Sequence, residues 1–266
     1  MLIDTHCHLT FDDLLPQVEA VLKRAREAGV SRVITVGTDV ADTRAALSLM
    51  ESHPHVFLAA GIHPHEAANV TADDLSALAE LHRHPSNNEN VSQRVVAVGE
   101  IGLDFHYEFA TPEQQERLFR SQLELACEVG RPVVIHARRA EERVGQILAD
   151  YPALAERVVF HCFSGGPELA RQLLDRGCYL SFTGVVTFKN AGALADSARL
   201  APADRILVET DAPFLTPEPV RRIRPCEPAF VAHTARFLAE LRGESFESFA
   251  AATTANAERF FNLPGE

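Results

Sequence analysis

The sequence predicts an α/β protein of the (β/α)₈ TIM-barrel class, and three observations lead to this prediction. Short β-branched, apolar runs recur along the chain, a segment with helical spacing of leucine and alanine follows each run, and there are eight such pairs. Near-continuous apolar strands that alternate with helices form parallel sheets covered on both faces. Eight units indicate a closed barrel, and an open, doubly wound sheet is the alternative. We expect residues 1–266 to form one domain.

The eight predicted strands are short apolar runs. In chain order they are residues 1–6, 31–37, 56–62, 95–101, 132–137, 157–163, 178–184 and 205–211. Signals at helix ends support the intervening helices: Gly29 is a predicted C-cap, and Thr111 and Pro112 are the predicted N-cap and first residue of the helix after the fourth strand. The polar segment 84–94 lacks periodicity, so we predict an exposed loop there.

Composition limits the partners and the compartment. The formal net charge is −12, from 25 basic and 37 acidic residues, which argues against broad electrostatic attachment to nucleic acid. A phosphodiester substrate stays compatible with this charge, because bound divalent cations supply local positive charge. Five cysteines without paired spacing indicate buried thiols in a reducing compartment. The chain has no signal-peptide pattern and no apolar run of roughly 18 residues, so we expect a cytoplasmic protein without membrane contact.

Histidines and acids cluster at the carboxyl ends of the predicted strands, where a parallel barrel carries its active site. In chain order these residues are His6, His8, His63, His65, Glu100, Asp104, His136, His161 and Asp211. The tripeptide HPH occurs twice, on opposite sides of the third strand. His53 and His55, at its amino end, are predicted to be solvated loop residues, whereas His63 and His65 lie at the end that carries chemistry. In an extended first strand, His6 and His8 share one face.

Six of these side chains form a predicted metal-binding set. They are His6, His8, Glu100, His136, His161 and Asp211. Imidazole and carboxylate ligands suit zinc, manganese, iron or cobalt, and they suit magnesium where carboxylate and water dominate. Six ligands are too many for one tetrahedral ion and indicate two divalent ions that share a bridging carboxylate. The only lysines, Lys23 and Lys189, lie in a helical pattern and beyond the seventh strand. Glu100 is therefore a better bridge than a carboxylated lysine.

Seven motifs, in order and at about the expected spacing, resemble those of the TatD-family deoxyribonucleases. They are IDTHCHL, GIHPH, GEIGLDF, VVIHAR, HCFSG, TGVVTFKN and ETDAPFLTP. The resemblance covers the whole chain and implies a metal-dependent barrel of the amidohydrolase-like superfamily. It also implies phosphodiester hydrolysis in DNA, as a 3′-to-5′ exonuclease that favours single-stranded ends, with abasic sites and RNA as further substrates. DNA repair or turnover is the expected role, and no obligate protein partner is evident.

The resemblance also implies a role for each site residue by its position. The ligands are His6 and His8 for one metal, His136 and His161 for the other, and Glu100 as the bridge. Asp211 corresponds to the residue that binds metal and assists the nucleophilic water, and His63 to the histidine that meets the scissile phosphate. His65, two residues further on, is another candidate substrate contact.

One segment departs from the family pattern. Family members usually carry a basic, glycine-containing segment that ends in Asn-x-Pro after the eighth strand. This chain has PEPVRRIRPCEP there, with Ile223 near the usual glycine and Cys226 near the usual asparagine. Its arginines, Arg221, Arg222 and Arg224, are predicted to clamp phosphates bidentately, and a solvated basic loop is the alternative.

Further residues near the predicted site each have two candidate roles. Arg138 is a candidate phosphate contact, with a surface salt bridge as the alternative. Glu209 is predicted to support the metal ligands, or else to line the barrel core. Asp104 either orients a ligand or holds the loop after the fourth strand. For His106 and Tyr107, loop packing is favoured over stacking on a base or sugar.

Two other classes of function remain open on the sequence. An amidohydrolase-type enzyme would use the same two-metal water on an amide, a lactone or an aminoacyl ester. A non-catalytic metal-binding scaffold is less consistent with six ligands, because a scaffold needs no open, water-bearing position. The arginines after the eighth strand favour a phosphate substrate. The metal stays open among Mg²⁺, Mn²⁺ and Zn²⁺, since these ligands accept several ions.

Overall fold

The computed structural model describes residues 1–86 and 88–264. The strands are β1 Leu2–Cys7, β2 Val30–Gly37, β3 Val56–Ala60, β4 Val95–Asp104, β5 Val133–Arg138, β6 Val158–Phe160, β7 Tyr179–Phe182 and β8 Ile206–Val208. The α-helices are α1 Val18–Glu27, α2 Val40–Ser52, α3 Ala72–Arg83, α4 Glu89–Ser92, α5 Pro112–Val129, α6 Glu141–Leu148, α7 Pro167–Asp175, α8 Gly192–Leu200, α9 Val231–Arg242 and α10 Phe246–Phe261. Short 3₁₀ helices occupy Leu15–Gln17, Pro64–Ala68, Pro152–Leu154, Gly184–Thr187 and Pro228–Phe230.

The eight strands are parallel and form one sheet in the order β1 to β8, with helices between successive strands. A doubly wound open sheet reverses its strand order at a switch point, and this sheet has no reversal. The predicted (β/α)₈ class is therefore confirmed over the open-sheet alternative. In the ranges 1–86 and 88–264, no helix combines the length and the apolarity needed to cross a lipid bilayer.

The density of contacts divides the chain into two compact units. One unit comprises Met1–Thr35 and Cys162–Glu266, and the other comprises Val36–His161. The expectation of one domain over residues 1–266 stays a prediction.

In the first unit, β1 is connected both to β2 and to the chain that follows β8. All six residues of β1 are buried, as expected for a parallel strand that is covered on both faces. Beyond β8, the Asp211 amide donates to the His6 carbonyl at 2.9 Å and the His8 amide donates to the Ala212 carbonyl at 2.7 Å. These bonds fix the carboxyl end of β1 against the segment that carries Asp211.

In the second unit, the long helix α5 fixes the ends of two strands through buried glutamines. Its start matches the prediction, with Pro112 in the first turn and a capping box between Thr111 and Gln114. Gln115 accepts from the Asp104 amide at 2.8 Å and donates to the Asp104 carbonyl at 2.9 Å. Gln122, two turns later, makes the same pair of bonds to Ile62 at 2.8 and 2.9 Å.

Several strand bounds differ from the predicted ones, and a predicted loop contains a helix. The predicted loop 84–94 contains helix α4, because Asn88 caps the Asn90 amide and Val91 is buried; the prediction is wrong there, and Asn87 lies outside the described residues. β8 ends at Val208, so Asp211 lies three residues beyond the strand and not at its last position.

We expect Gln122→Met to destabilise the protein by roughly 2–6 kcal/mol, because it leaves the buried amide and carbonyl of Ile62 without partners at about 1–3 kcal/mol each. Urea denaturation of the variant and the wild type measures the loss. Gln93→Met is the matched control, since Gln93 is exposed and makes one long contact to Glu89. Equal stability of the two variants would contradict the structural role of the Gln122 amide.

A buried histidine in α3 gives a second prediction. His82 Nδ1 lies 2.6 Å from an Arg131 nitrogen, and Nε2 lies 2.9 Å from the Ala60 carbonyl. Arginine can only donate, so Nδ1 accepts and the proton is on Nε2. Burial, and then the Arg131 charge, lower the pKa of His82 from 6.5 to about 4, although the bond to Ala60 opposes the shift.

The unfolded chain therefore binds the His82 proton more readily than the folded protein does. The contribution of the neutral His82 side chain to the free energy of unfolding is complete above about pH 6.5 and is lost as the pH falls toward 4. Between pH 7.5 and 5.0 we expect a loss of about 2 kcal/mol from this group. Urea denaturation at both values should show a flatter pH dependence for His82→Gln. His84→Gln, which changes an exposed histidine two residues away, should keep the wild-type slope.

Candidate metal centre

In the first unit, three of the predicted metal ligands converge. His6 lies in β1 and His8 just beyond it, and their ring centroids are 5.1 Å apart. The Oδ1 atom of Asp211 lies 3.8 Å from His6 Nε2 and 3.4 Å from His8 Nε2. Asp211 has a φ of 58°, in the left-handed region that aspartate tolerates better than most residues. Its side chain is 15% exposed, whereas the two imidazoles are buried.

A buried carboxyl group holds this part of the first unit in place. Asp4 accepts from the Thr210 amide at 2.9 Å and from the Thr210 hydroxyl at 2.6 Å. Burial raises the pKa of Asp4 well above its usual value, and these bonds only partly oppose the shift. Asp4 and Thr210 are sequence neighbours of the ligand positions in β1 and after β8, so this contact restrains both.

Glu209 lies in a second buried network. Its carboxylate accepts from the Cys162 amide and from the Ser181 hydroxyl, the latter at 2.6 Å. The Ser181 hydroxyl also lies 3.3 Å from that of Thr5 in β1. Glu209 thus anchors the backbone immediately after His161, where Cys162 adopts a positive φ of 43°. Sequence reasoning left Glu209 between a supporting and a core-lining role, and its contacts are those of a supporting residue.

In the second unit, Glu100 is the centre of the donor cluster. Its Oε1 atom lies 2.7 Å from His136 Nδ1, 2.9 Å from His161 Nε2 and 3.7 Å from His63 Nε2. The Glu100 side chain is only 3% exposed. Burial by itself raises the pKa of Glu100, but the imidazoles of His161 and His63 and the hydrogen bonds from His136 and His161 hold it well below the usual value.

Asp104 is a second acidic centre in this unit. Its Oδ2 atom lies 2.9 Å from His65 Nε2 and 3.1 Å from His136 Nε2. Its Oδ1 atom accepts from the amides of His106 and Tyr107. Burial raises its pKa, yet the hydrogen bonds from the histidines and the backbone bring it below the usual value. Asp104 therefore orients imidazoles and also holds the loop after β4, so the two roles considered for it are not exclusive.

His136 makes contacts through both ring nitrogens. Burial lowers its pKa, but the bonds to Asp104 and Glu100 outweigh that effect and raise it above the usual value. A nitrogen that ligates a metal carries no proton. Metal binding by His136 would therefore replace one of its two carboxylate contacts.

A glycine makes this geometry possible. Gly102 pairs with His136 in the register of β4 and β5 and has a φ of 144°. A Cβ atom there would lie 2.0 Å from the His136 carbonyl oxygen. Gly102, the second glycine of GEIGLDF, thus allows β4 to pass close to β5, the strand that carries His136.

The chemistry of the donors fits divalent cations. The ligand atoms of His63, Glu100 and His136 all lie within 4.8 Å of one another. Imidazole nitrogens with a carboxylate oxygen are a common ligand set for transition metals. His63 belongs to this group by distance, whereas the resemblance implied a phosphate contact for it. That implied role stays a prediction.

The basic segment after β8 has a conformation that the sequence did not predict. The Arg221 guanidinium lies 3.8 Å from the Phe188 ring centroid, and Arg224 donates to the backbone carbonyls of Arg221 and Ile223. Residues 218–224 line an open cavity of about 800 Å³. Cys226, near the usual asparagine position, is buried, and burial raises the pKa of its thiol to about 12. It is an inert packing residue.

The structure also shows neighbours of the ligands that sequence reasoning missed. The Phe11 ring stacks on His8 at 4.6 Å, and the exposed Phe214 lies 6.3 Å from the same imidazole. Phe109 lies 4.6 Å from His65. The motif ETDAPFLTP includes Phe214, but no sequence pattern distinguishes an exposed aromatic side chain from a buried one. Sequence reasoning also missed the contacts of Gln115 with Asp104 and of Gln122 with Ile62.

Comparison with known proteins agrees with a hydrolase centre of this kind. A family model described as "TatD related DNase" matches residues 3–262. The chain is 40% identical over 263 residues to YabD of Bacillus subtilis (strain 168), named an uncharacterized metal-dependent hydrolase, with 99% of this chain and 100% of that protein covered. It is 38% identical over 267 residues to a 3′-5′ ssDNA/RNA exonuclease TatD of Erwinia tasmaniensis, with 98% and 100% covered.

A solved structure supports the same conclusion. The crystal structure of YJJV, a TatD homologue of Escherichia coli K12, matches with a TM-score of 0.91 and 32% identity, over 99% of this chain and 98% of that one. The fold and the relatives define a metal-dependent hydrolase. The chain belongs to the TatD family, as the match over residues 3–262 shows.

We expect Glu100→Gln to weaken divalent-metal binding by at least roughly 10-fold, since it removes the buried negative charge among the imidazoles. Equilibrium dialysis followed by elemental analysis measures the affinity and the number of bound ions. Glu108→Gln is the control, because Glu108 is an exposed acid of the loop after β4. Unchanged metal affinity in Glu100→Gln would remove Glu100 from the ligand set.

Proposed function

We propose that this TatD-family hydrolase cleaves phosphodiester bonds in DNA, as a 3′-to-5′ exonuclease that prefers single-stranded ends. The observation that carries the proposal is the partly exposed Asp211 carboxylate, whose Oδ1 atom lies 3.8 Å and 3.4 Å from the Nε2 atoms of two buried imidazoles, His6 and His8. Relatives named as ssDNA/RNA exonucleases support the substrate class and the polarity, with RNA as a further substrate.

The residues that would hold the metals lie in the second halves of their strands or up to three residues beyond them. They are His6, His8, Glu100, His136, His161 and Asp211. Two bound divalent ions would lower the pKa of a water molecule and offset negative charge on the phosphate oxygens. Glu100 is suited to the bridging position, because one of its oxygens already lies within 3 Å of nitrogens from two different histidines. The identity of the ions among Mg²⁺, Mn²⁺ and Zn²⁺ depends on their availability.

Asp211 has the position required of a general base. Its carboxylate is 15% exposed, against 3% for Glu100, so an attacking water can reach Asp211 more easily. The backbone bonds to β1 hold it in place. In the proposed mechanism, Asp211 orients the water and accepts one of its protons as the water oxygen attacks phosphorus. The P–O bond to the leaving sugar oxygen breaks, and that oxygen takes up a proton from solvent.

The substrate contacts in this proposal are His63, His65, Arg138, Arg222 and Arg224. His63 and His65 border the Glu100 cluster, and Arg138 ends β5, two residues after His136. Arg222 and Arg224 lie in the cavity segment 218–224. Their positive charges, in a chain of net charge −12, are suited to phosphates. Cytoplasmic location and a role in DNA repair or turnover remain proposals from the sequence and the family.

A labelled-strand assay tests the proposal. Single-stranded DNA labelled at the 3′ or 5′ end should be shortened stepwise from the 3′ end with Mg²⁺ or Mn²⁺, and not with chelator. Asp211→Asn should lower kcat roughly 10²- to 10⁴-fold, because the amide cannot accept the proton. Asp196→Asn is the matched control, since Asp196 is an exposed acid paired with Arg199.

Intact DNA under every metal, with wild-type protein of normal metal content, would contradict the nuclease proposal. The same preparation would then be assayed on amides, lactones and aminoacyl esters, which the same donor set would serve.

A further inference from the structure

We propose that the loop after β4 forms a nucleobase-stacking surface beside the Glu100 cluster, built from Tyr107 and Phe109 with Arg138 as its phosphate contact. The inference rests on the proposed nuclease function and deepens it, because it specifies how a single strand is recognised. All of its residues lie in the second unit, between β4 and the end of β5.

The aromatic side chains are exposed and lie against one another and against His65. Tyr107 is 43% exposed and Phe109 60%. Their ring centroids are 5.6 Å apart, and those of Phe109 and His65 are 4.6 Å apart. His65 in turn contacts Asp104 at 2.9 Å. The aromatic surface therefore extends from the donor cluster toward solvent, and it leaves part of the Phe109 ring available for stacking.

The loop that carries these rings is held at both ends. The Oδ1 atom of Asp104 accepts from the Tyr107 amide at 3.2 Å. At the other end, Gln115 donates to the Ala110 carbonyl at 3.0 Å, and Thr111 caps helix α5. Two exposed apolar rings on a restrained loop are ready for a ligand, because little conformational entropy is lost when they stack.

Arg138 gives this surface a charge that suits a nucleotide. Its guanidinium lies 4.8 Å from the Tyr107 ring centroid. Within the described part of the chain, no carboxylate lies within ion-pair distance of Arg138, so the surface salt bridge considered from the sequence is absent. An exposed arginine without an acidic partner, in a chain of net charge −12, is a distinct local positive site. Aromatic rings can stack on a base while a neighbouring arginine binds the phosphate of the same nucleotide.

This arrangement gives a physical reason for a preference for single strands. Every base has a π-face, so stacking on Phe109 is tolerant of sequence. In a duplex the bases are already stacked and paired, and exposing one costs a few kcal/mol. An unpaired strand can present a base to the loop while its phosphate approaches Arg138. The preference for single strands would then arise at Tyr107 and Phe109 and not at the metal ligands.

The test uses a single-stranded oligonucleotide with 2-aminopurine at its terminal or penultimate 3′ position. Stacking on an aromatic ring quenches 2-aminopurine fluorescence, so the readout does not depend on hydrolysis. Binding is measured with chelator and with Ca²⁺, and hydrolysis is measured in parallel with Mg²⁺ or Mn²⁺. The proteins are the wild type, the double variant Tyr107→Leu/Phe109→Leu, and Tyr151→Leu as the control. Tyr151 precedes β6 in chain order and lies outside the loop after β4.

We expect the double variant to lose the quench and to bind the strand roughly 5- to 100-fold more weakly, as the usual contribution of base stacking implies. For an oligomer of abasic spacers, which has phosphates but no bases, the double variant should lose less affinity than it loses for the strand with bases, and an equal loss for both oligomers would overturn the stacking surface. A double variant that keeps the wild-type quench and affinity would overturn the stacking surface. A quench that needs Tyr107 and Phe109, in a protein that hydrolyses no DNA, would support the surface and overturn the nuclease proposal.

Discussion

The buried carboxylate of Glu100 is the constraint on which the second unit depends. An ionised carboxylate at 3% exposure is costly unless charged or hydrogen-bonded partners surround it. His136, His161 and His63 supply those partners from strand ends and a following turn. Gly102 lets β4 and β5 pair closely enough to bring His136 into contact. The same crowding that satisfies the charge also creates a ligand set for divalent ions.

The first unit achieves a similar result mainly through its backbone. Hydrogen bonds between β1 and the segment after β8 fix the positions of His6, His8 and Asp211. The buried Asp4 accepts two further hydrogen bonds from Thr210, which hold the same two segments together. Asp211 thereby keeps a fixed orientation although part of its side chain is exposed. This combination of rigidity and access is what a residue that positions a water requires.

The acidic charge of the chain and the proposed phosphate substrate are compatible because the positive charge is local. Arg138 and the arginines of 218–224 are exposed, while the candidate metal ligands are imidazoles and carboxylates. Catalytic cations and a few arginines are sufficient to bind a phosphodiester when long-range attraction is not needed. Exposed aromatic rings beside Arg138 would add affinity that does not depend on charge.

The sequence by itself determined the fold class, because eight apolar runs alternating with helical segments leave few other ways to bury both faces of the strands. It also identified the metal-ligand candidates, since parallel strands end at one edge of the sheet and the motif residues fall near the predicted strand ends. Only the tertiary structure decided that Asp104 bonds two imidazoles and two loop amides, that α5 fixes strand ends through Gln115 and Gln122, and that Phe109 is exposed. Most of these features are contacts between residues distant in sequence, and the exposure of Phe109 belongs to a loop; local periodicity determines neither.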